Sequence, residues 1–125
     1  MKRMFTLLGL VALLSFTVVA GIEEVVSGLK AGNATQIAKY FDNAVEITLF
    51  DKSNSYSKSQ AELVLKDFFA TNTVKGFEVI HKGENGGSEY RIGNLSTRTG
   101  TYRTTIFMKQ KGDKQLLQEI RFENK

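Results

Sequence analysis

The chain has 125 residues, with 17 basic and 13 acidic side chains, one histidine, no cysteine and no proline. Without cysteine there are no disulfides, thiol chemistry or thiolate zinc sites, and without proline there are no polyproline segments or rigid linkers. Setting aside Lys2 and Arg3, which belong to an apolar leader, leaves 15 basic against 13 acidic residues, with no cluster of the kind that grips nucleic acid.

Lys2 and Arg3 precede an almost wholly apolar run from Met4 to Val19, and Val18-Val19-Ala20 supplies small residues ahead of Gly21. This pattern predicts a secretory signal peptide over residues 1–20, cut after Ala20, and so an exported protein, periplasmic or secreted. A spanning helix needs about 20 apolar residues. The run here is shorter, is interrupted by Thr6, Ser15 and Thr17, and meets Glu23 and Glu24 at once, so no stable membrane anchor is expected after cleavage. The absence of a cysteine at the junction excludes lipid attachment there. Residues 21–125 suffice for a single domain with one core.

From Ile22 to Ala31 the apolar residues Ile22, Val25, Val26 and Leu29 recur at helical spacing, and Gly32 stands where a helix end wants positive φ. Asn33 opens a second helix as its cap, with Ala34, Ile37, Ala38 and Phe41 as the stripe, making an αα-corner. Asn33-Ala34-Thr35 and Asn94-Leu95-Ser96 are also glycosylation sequons, a pattern common by chance. Val45, Ile47 and Leu49 alternate with Glu46 and Thr48 as in a half-buried strand, and Asp51 to Ser55 reads as a polar turn. Ser57 and Gln60 form a capping box for the clearest helix, Tyr56 to Asn72, whose Ala61, Val64, Leu65, Phe68 and Phe69 make one apolar stripe. Four strands follow, broken at Asn85-Gly86, Thr99-Gly100 and Lys111-Gly112-Asp113, and read as an antiparallel meander.

The sum is an α+β domain of order α-α-β-α-β-β-β-β, a curved antiparallel sheet with three helices packed on its concave face. Alternation assigns inner faces: Phe77, Val79 and His81; Tyr90, Ile92 and Asn94; Tyr102, Thr104, Ile106 and Met108; and Leu116, Gln118, Ile120 and Phe122.

Particular stretches resemble one family. They are Leu29-Lys30-Ala31-Gly32-Asn33-Ala34 leading into Tyr40-Phe41, the entry Tyr56-Ser57-Lys58-Ser59-Gln60-Ala61 to a helix ending Asp67-Phe68-Phe69, the strand end His81-Lys82-Gly83, and Tyr90-Arg91-Ile92-Gly93. The family is one of unknown function, met as small secreted proteins of the Bacteroidetes group, in the nuclear transport factor 2-like (cystatin-like cone) superfamily. The resemblance covers Gly21 to Lys125. It implies a cone-shaped α+β fold whose sheet wraps a pocket under the helices. The wider superfamily holds isomerases, dehydratases, ligand binders and association domains, so the fold does not select a function.

His81 is the candidate general acid/base, with Asp42 and Asp51, at the two ends of the first strand, as its nearest carboxylate partners. The plainer readings are a hydrogen-bonded histidine near a strand end, and aspartates serving helix-end and turn geometry. No catalytic residue carries over from the superfamily's enzymes. His81, Tyr90, Asn94, Tyr102, Thr104 and Gln118 make the inner face more polar than packing requires, which suggests a small-ligand pocket or a buried hydrogen-bond network. Ile80, Leu95, Phe107 and Leu117 fall on the outer face as a possible homodimer surface. One histidine and scattered carboxylates predict no metal site, and Gly83, Gly86 and Gly87 lie in a hairpin turn rather than a nucleotide loop, so no cofactor is expected.

The function read from these residues is a small secreted envelope protein, a non-enzymatic module binding a small molecule or another envelope protein. The alternative is an acid/base enzyme, an isomerase, dehydratase or hydrolase using His81.

Overall fold

The computed structural model describes residues 21–125; the expected signal peptide lies outside the described residues. The elements run α1 (Gly21–Ala31), α2 (Ala34–Ala38), β1 (Phe41–Leu49), β2 (Lys52–Ser57), α3 (Lys58–Thr71), β3 (Val74–Asn85), β4 (Ser88–Thr97), β5 (Gly100–Lys111) and β6 (Lys114–Asn124). All six strands form one sheet in the order β2-β1-β6-β5-β4-β3. Neighbours are antiparallel except β1 and β6, which run parallel.

The helices begin and end where their caps dictate. Asn33 accepts from the Gln36 amide at 3.0 Å, and Gly32 closes α1 at φ +63°. Ser57 and Gln60 exchange their side-chain to backbone bonds to open α3. α1 lies against β3, β4 and β6, while α3 packs on α2, β1 and β2. Ile22, Val25 and Leu29 from α1, with Ala61, Leu65, Phe68 and Phe69 from α3, meet Val45, Ile47, Ile106, Met108, Leu117, Ile120 and Phe122 of the sheet in one core.

The α+β architecture is as expected, with one strand more. Asp51 to Ser55, expected as a polar turn, contracts to the pair Phe50–Asp51, and Lys52–Ser57 forms the edge strand β2. Its side chains are exposed apart from the half-buried Tyr56, so its backbone ladder to β1 holds it and no apolar alternation marks it.

Three of the inner faces also differ from those expected. In β4 the buried positions are Arg91, Gly93, Leu95 and Thr97, so Tyr90, Ile92 and Asn94 lie outside. Gly93 faces inward because the Phe77 ring crosses it: a Cβ there would stand 2.7 Å from the ring and 2.3 Å from the Glu78 carbonyl oxygen. In β3 a bulge after Val79 sets His81 opposite Ile92, on the outer face. In β6 a bulge at Gln118 brings Leu117, Ile120 and Phe122 inward and leaves Leu116 half-buried. β5 keeps its expected inner set, with Thr104, Ile106 and Met108 fully buried.

Candidate functional site

The proposed catalytic group does not assemble. His81 is exposed on the edge strand β3, past the bulge that turned it outward. No described carboxylate forms an ion pair with it. Asp42 starts β1, separated from β3 by β6, β5 and β4, roughly 19 Å at the usual strand spacing. Its carboxylate is already occupied: Lys111 Nζ lies at 2.6 Å, Gln118 Nε2 donates at 2.9 Å and the Asn43 amide at 2.7 Å. The hydrogen bonds from Lys111, Gln118 and Asn43 hold the carboxyl down at about 2. Asp51 is exposed in the β1–β2 turn. A base needs an orienting partner and a cavity, and these three residues share neither.

The six expected pocket residues are likewise dispersed. Thr104 is buried and Tyr102 half-buried on the inner face; His81, Tyr90 and Asn94 are outside; and Gln118 sits in the β6 bulge, bonded to Asp42. The hollows described on the surface lie between α2 and α3 and around the β3–β4 hairpin, and none is lined by any of the six. Among the described residues no three metal-ligating side chains gather, and no helix is long and apolar enough to cross a membrane.

Of the four residues expected on the outer face, Leu95 and Leu117 belong to the core, both fully buried. Ile80 and Phe107 remain outside, and Tyr90 and Ile92 join them. Tyr90 pairs with Phe107, and Ile92 sits between His81 and Thr105. The Tyr90 ring lies across Gly83, where a Cβ would come within 2.2 Å of it. Charges of both signs border this patch: Arg103 is opposite Glu123, and Arg121 reaches Glu119 and Glu123 at 3.8 and 3.4 Å.

Two polar clusters escaped the sequence reading. At one end of the sheet Arg91 is buried, donating to Glu23 at 2.9 Å and to the Tyr90 carbonyl at 3.0 Å, with Glu89 at 3.5 Å. Gln115 joins this group, donating to Glu89 and accepting from the Ile22 amide at 2.8 Å. Nearby, burial and then the Glu24 charge raise the Tyr40 pKa. At the other end Asn72, buried at the close of α3, gathers Thr99 and Tyr102 under Phe50. The signal for the first cluster was the charged side chain Arg91 among apolar strand residues; for the second it was an asparagine at a helix end.

A model of a domain of unknown function, DUF4783, matches residues 22–123. A DUF4783 protein from Bacteroides fragilis is 30% identical, with TM-score 0.78, the match covering 87% of this chain and 100% of that one. One from Bacteroides ovatus is 29% identical, with TM-score 0.79 over 82% of this chain and 93% of that one. A nuclear transport factor 2-like protein of unknown function from Cytophaga hutchinsonii shares the fold, with TM-score 0.61 at 10% identity over 86% of this chain and 92% of that one. No curated protein matches. With the cone-shaped α+β fold and a family match across the described domain, the chain belongs to the DUF4783 family, within the nuclear transport factor 2-like fold.

Proposed function

We propose that the chain is an exported, non-enzymatic association module that meets a second copy of itself through the outer face of its sheet. The observation that carries this reading is the contiguous patch of Tyr90, Ile92, Phe107 and Ile80, of which Tyr90 is 39% and Ile80 44% exposed. Apolar side chains grouped on one face, with a polar rim, are the composition of a contact surface. The rim supports a symmetric contact, because Arg103 and Arg121 stand beside Glu119 and Glu123, and a two-fold axis lets the arginines of one copy face the glutamates of the other. The leader read from residues 1–20 supports a contact made in the cell envelope or outside the cell. The interior supports no competing catalytic reading, since His81 and the aspartates lie apart.

Sedimentation of the protein and of its Phe107→Glu variant tests the proposal. A dimer at micromolar concentration that the substitution weakens at least ten-fold, with an unchanged far-ultraviolet circular dichroism spectrum, is the expected result. A monomer at every concentration up to about 100 μM, which limits any association to less than about 5.5 kcal/mol, would overturn it.

A further inference from the structure

The β1–β2 turn is two residues long, since Leu49 pairs with Lys52. Such turns place their first residue at positive φ, where glycine or asparagine is usual. Here the residue is Phe50, at φ +64°. An aromatic side chain in the left-handed region is strained, and persists only where its surroundings hold it there. The Phe50 amide donates to the Phe122 carbonyl at 2.7 Å. Its ring sits edge-on to Tyr102 at 5.5 Å and tilted to Phe68 at 6.4 Å, yet the residue stays 39% exposed. Behind it Phe68 stacks on Phe122 at 4.2 Å. One partly exposed ring thus covers an aromatic corner.

The polar edge of this corner has a fixed hydrogen-bond sense. Asn72 Nδ2 donates to the Phe68 carbonyl at 2.9 Å, which settles the amide orientation and turns Oδ1 toward the hydroxyls. Thr99 donates to that oxygen, Tyr102 lies 3.4 Å from it, and the Thr99 and Tyr102 oxygens are 2.9 Å apart. Thr97 Oγ1 also lies 3.1 Å from Thr99 Oγ1 and donates to the Gly100 carbonyl at 2.8 Å, so the Thr99 oxygen has hydroxyls on both sides and the Tyr102 oxygen is the one left with a free lone pair. The capacity left over is that of an acceptor.

We propose that this corner is a binding site for a flat aromatic molecule carrying a hydrogen-bond donor, of the phenol or indole class, which takes the place of the Phe50 ring. The ligand ring stacks against Phe68 and Tyr102, and its O–H or N–H donates to the Tyr102 oxygen. The two-residue turn keeps its backbone geometry and only the Phe50 side chain swings out, so its ring competes with the ligand for the corner. The site is on the helix side of the sheet and is independent of the outer-face association.

The test is a proton–nitrogen NMR titration of the chain, expressed with its own N-terminal segment and purified as the cell delivers it. The probes are phenol and anisole, which has the same ring without the donor. The expected result is saturable shifts at Phe50, Asn72, Thr99 and Tyr102 with phenol, and at least five-fold weaker binding of anisole. Phe50→Gly tightens phenol at least ten-fold, and Tyr102→Phe weakens phenol to the level of anisole. No saturable shift in the wild type overturns the proposal. So does phenol binding confined to Phe50→Gly, which would be a cavity made by the substitution, and so does equal binding of phenol and anisole.

Discussion

Asp42 shows how a residue that looks catalytic in sequence is spent on structure. Its carboxylate accepts from Lys111, Gln118 and Asn43, ties the start of β1 to the bulge of β6, and is held at about 2 against an ordinary 3.8. The folded pKa is depressed, so the stabilisation is fully present above about 3.8 and fades as pH falls toward 2. Lys111 is half exposed and screened by solvent, which keeps the gain modest. Asp42→Asn is expected to lower stability by about 1 kcal/mol at neutral pH, and the gap to the wild type to close as the pH drops through that window. Urea unfolding at pH 7 and pH 2.5 measures both; a gap of the same size at the two pH values would contradict the assignment. The sequence offered Asp42 as a partner for His81 because both flank strand ends. It held no sign of the bulge that turns His81 away, nor of Lys111 arriving from β5.

At the scale of elements, much was legible. The capping residues Asn33 and Ser57, the Gly32 stop and the α3 stripe placed the helices, because cap chemistry and a 3.6-residue period are local. The meander was visible in its Asn-Gly and Gly turns, and β5 kept its inner face. What failed was register across the bulges of β3 and β6, for a bulge is fixed by neighbouring strands and leaves strict alternation only up to the inserted residue. The phase of β4 failed too, because its regular inner face carries Arg91, Gly93 and Thr97 beside Leu95 and so does not look apolar. β6 makes the sharpest case. Alternation puts Leu116 inside and Leu117 outside, whereas Leu117 is fully buried and Leu116 only half so. Leu117→Ala is therefore expected to cost 2–5 kcal/mol, about the range for a core leucine, and Leu116→Ala less than about 1 kcal/mol. Equal losses, or the reverse order, in denaturant unfolding would refute the register. β2 escaped for a different reason: an exposed edge strand has no buried side to leave a pattern.

For the molecule as a whole, a small domain without cysteine has to hold through its core and through the way its ends are fastened. The first turn of α1 is fastened three times over. Ile22 is fully buried, its amide donates to Gln115 at 2.8 Å, and Glu23 pairs with the buried Arg91. Gly21 fits closely beside these contacts, since a Cβ there would lie 3.1 Å from Gln115 Oε1 and 3.3 Å from the Tyr40 ring. On the export reading, a cut after Ala20 falls just before this anchor and leaves it whole. A chain starting at Gly21 should then be as stable as the naturally processed protein. A chain starting at Val25 loses the Ile22 side chain, its amide bond and the Arg91 partner, and leaves Arg91, whose side chain is 10% exposed in the intact fold, with one carboxylate fewer. Burying an isoleucine contributes about 1.5–3 kcal/mol, and depriving a buried charge of a partner adds to the loss. Together these amount to about 3 kcal/mol, enough to lower the melting temperature of a domain this size by more than about 10 °C. Calorimetry of the two chains released from a fusion would measure the difference, and a Val25 chain that melts with the Gly21 chain would show that the domain begins later than its contacts say.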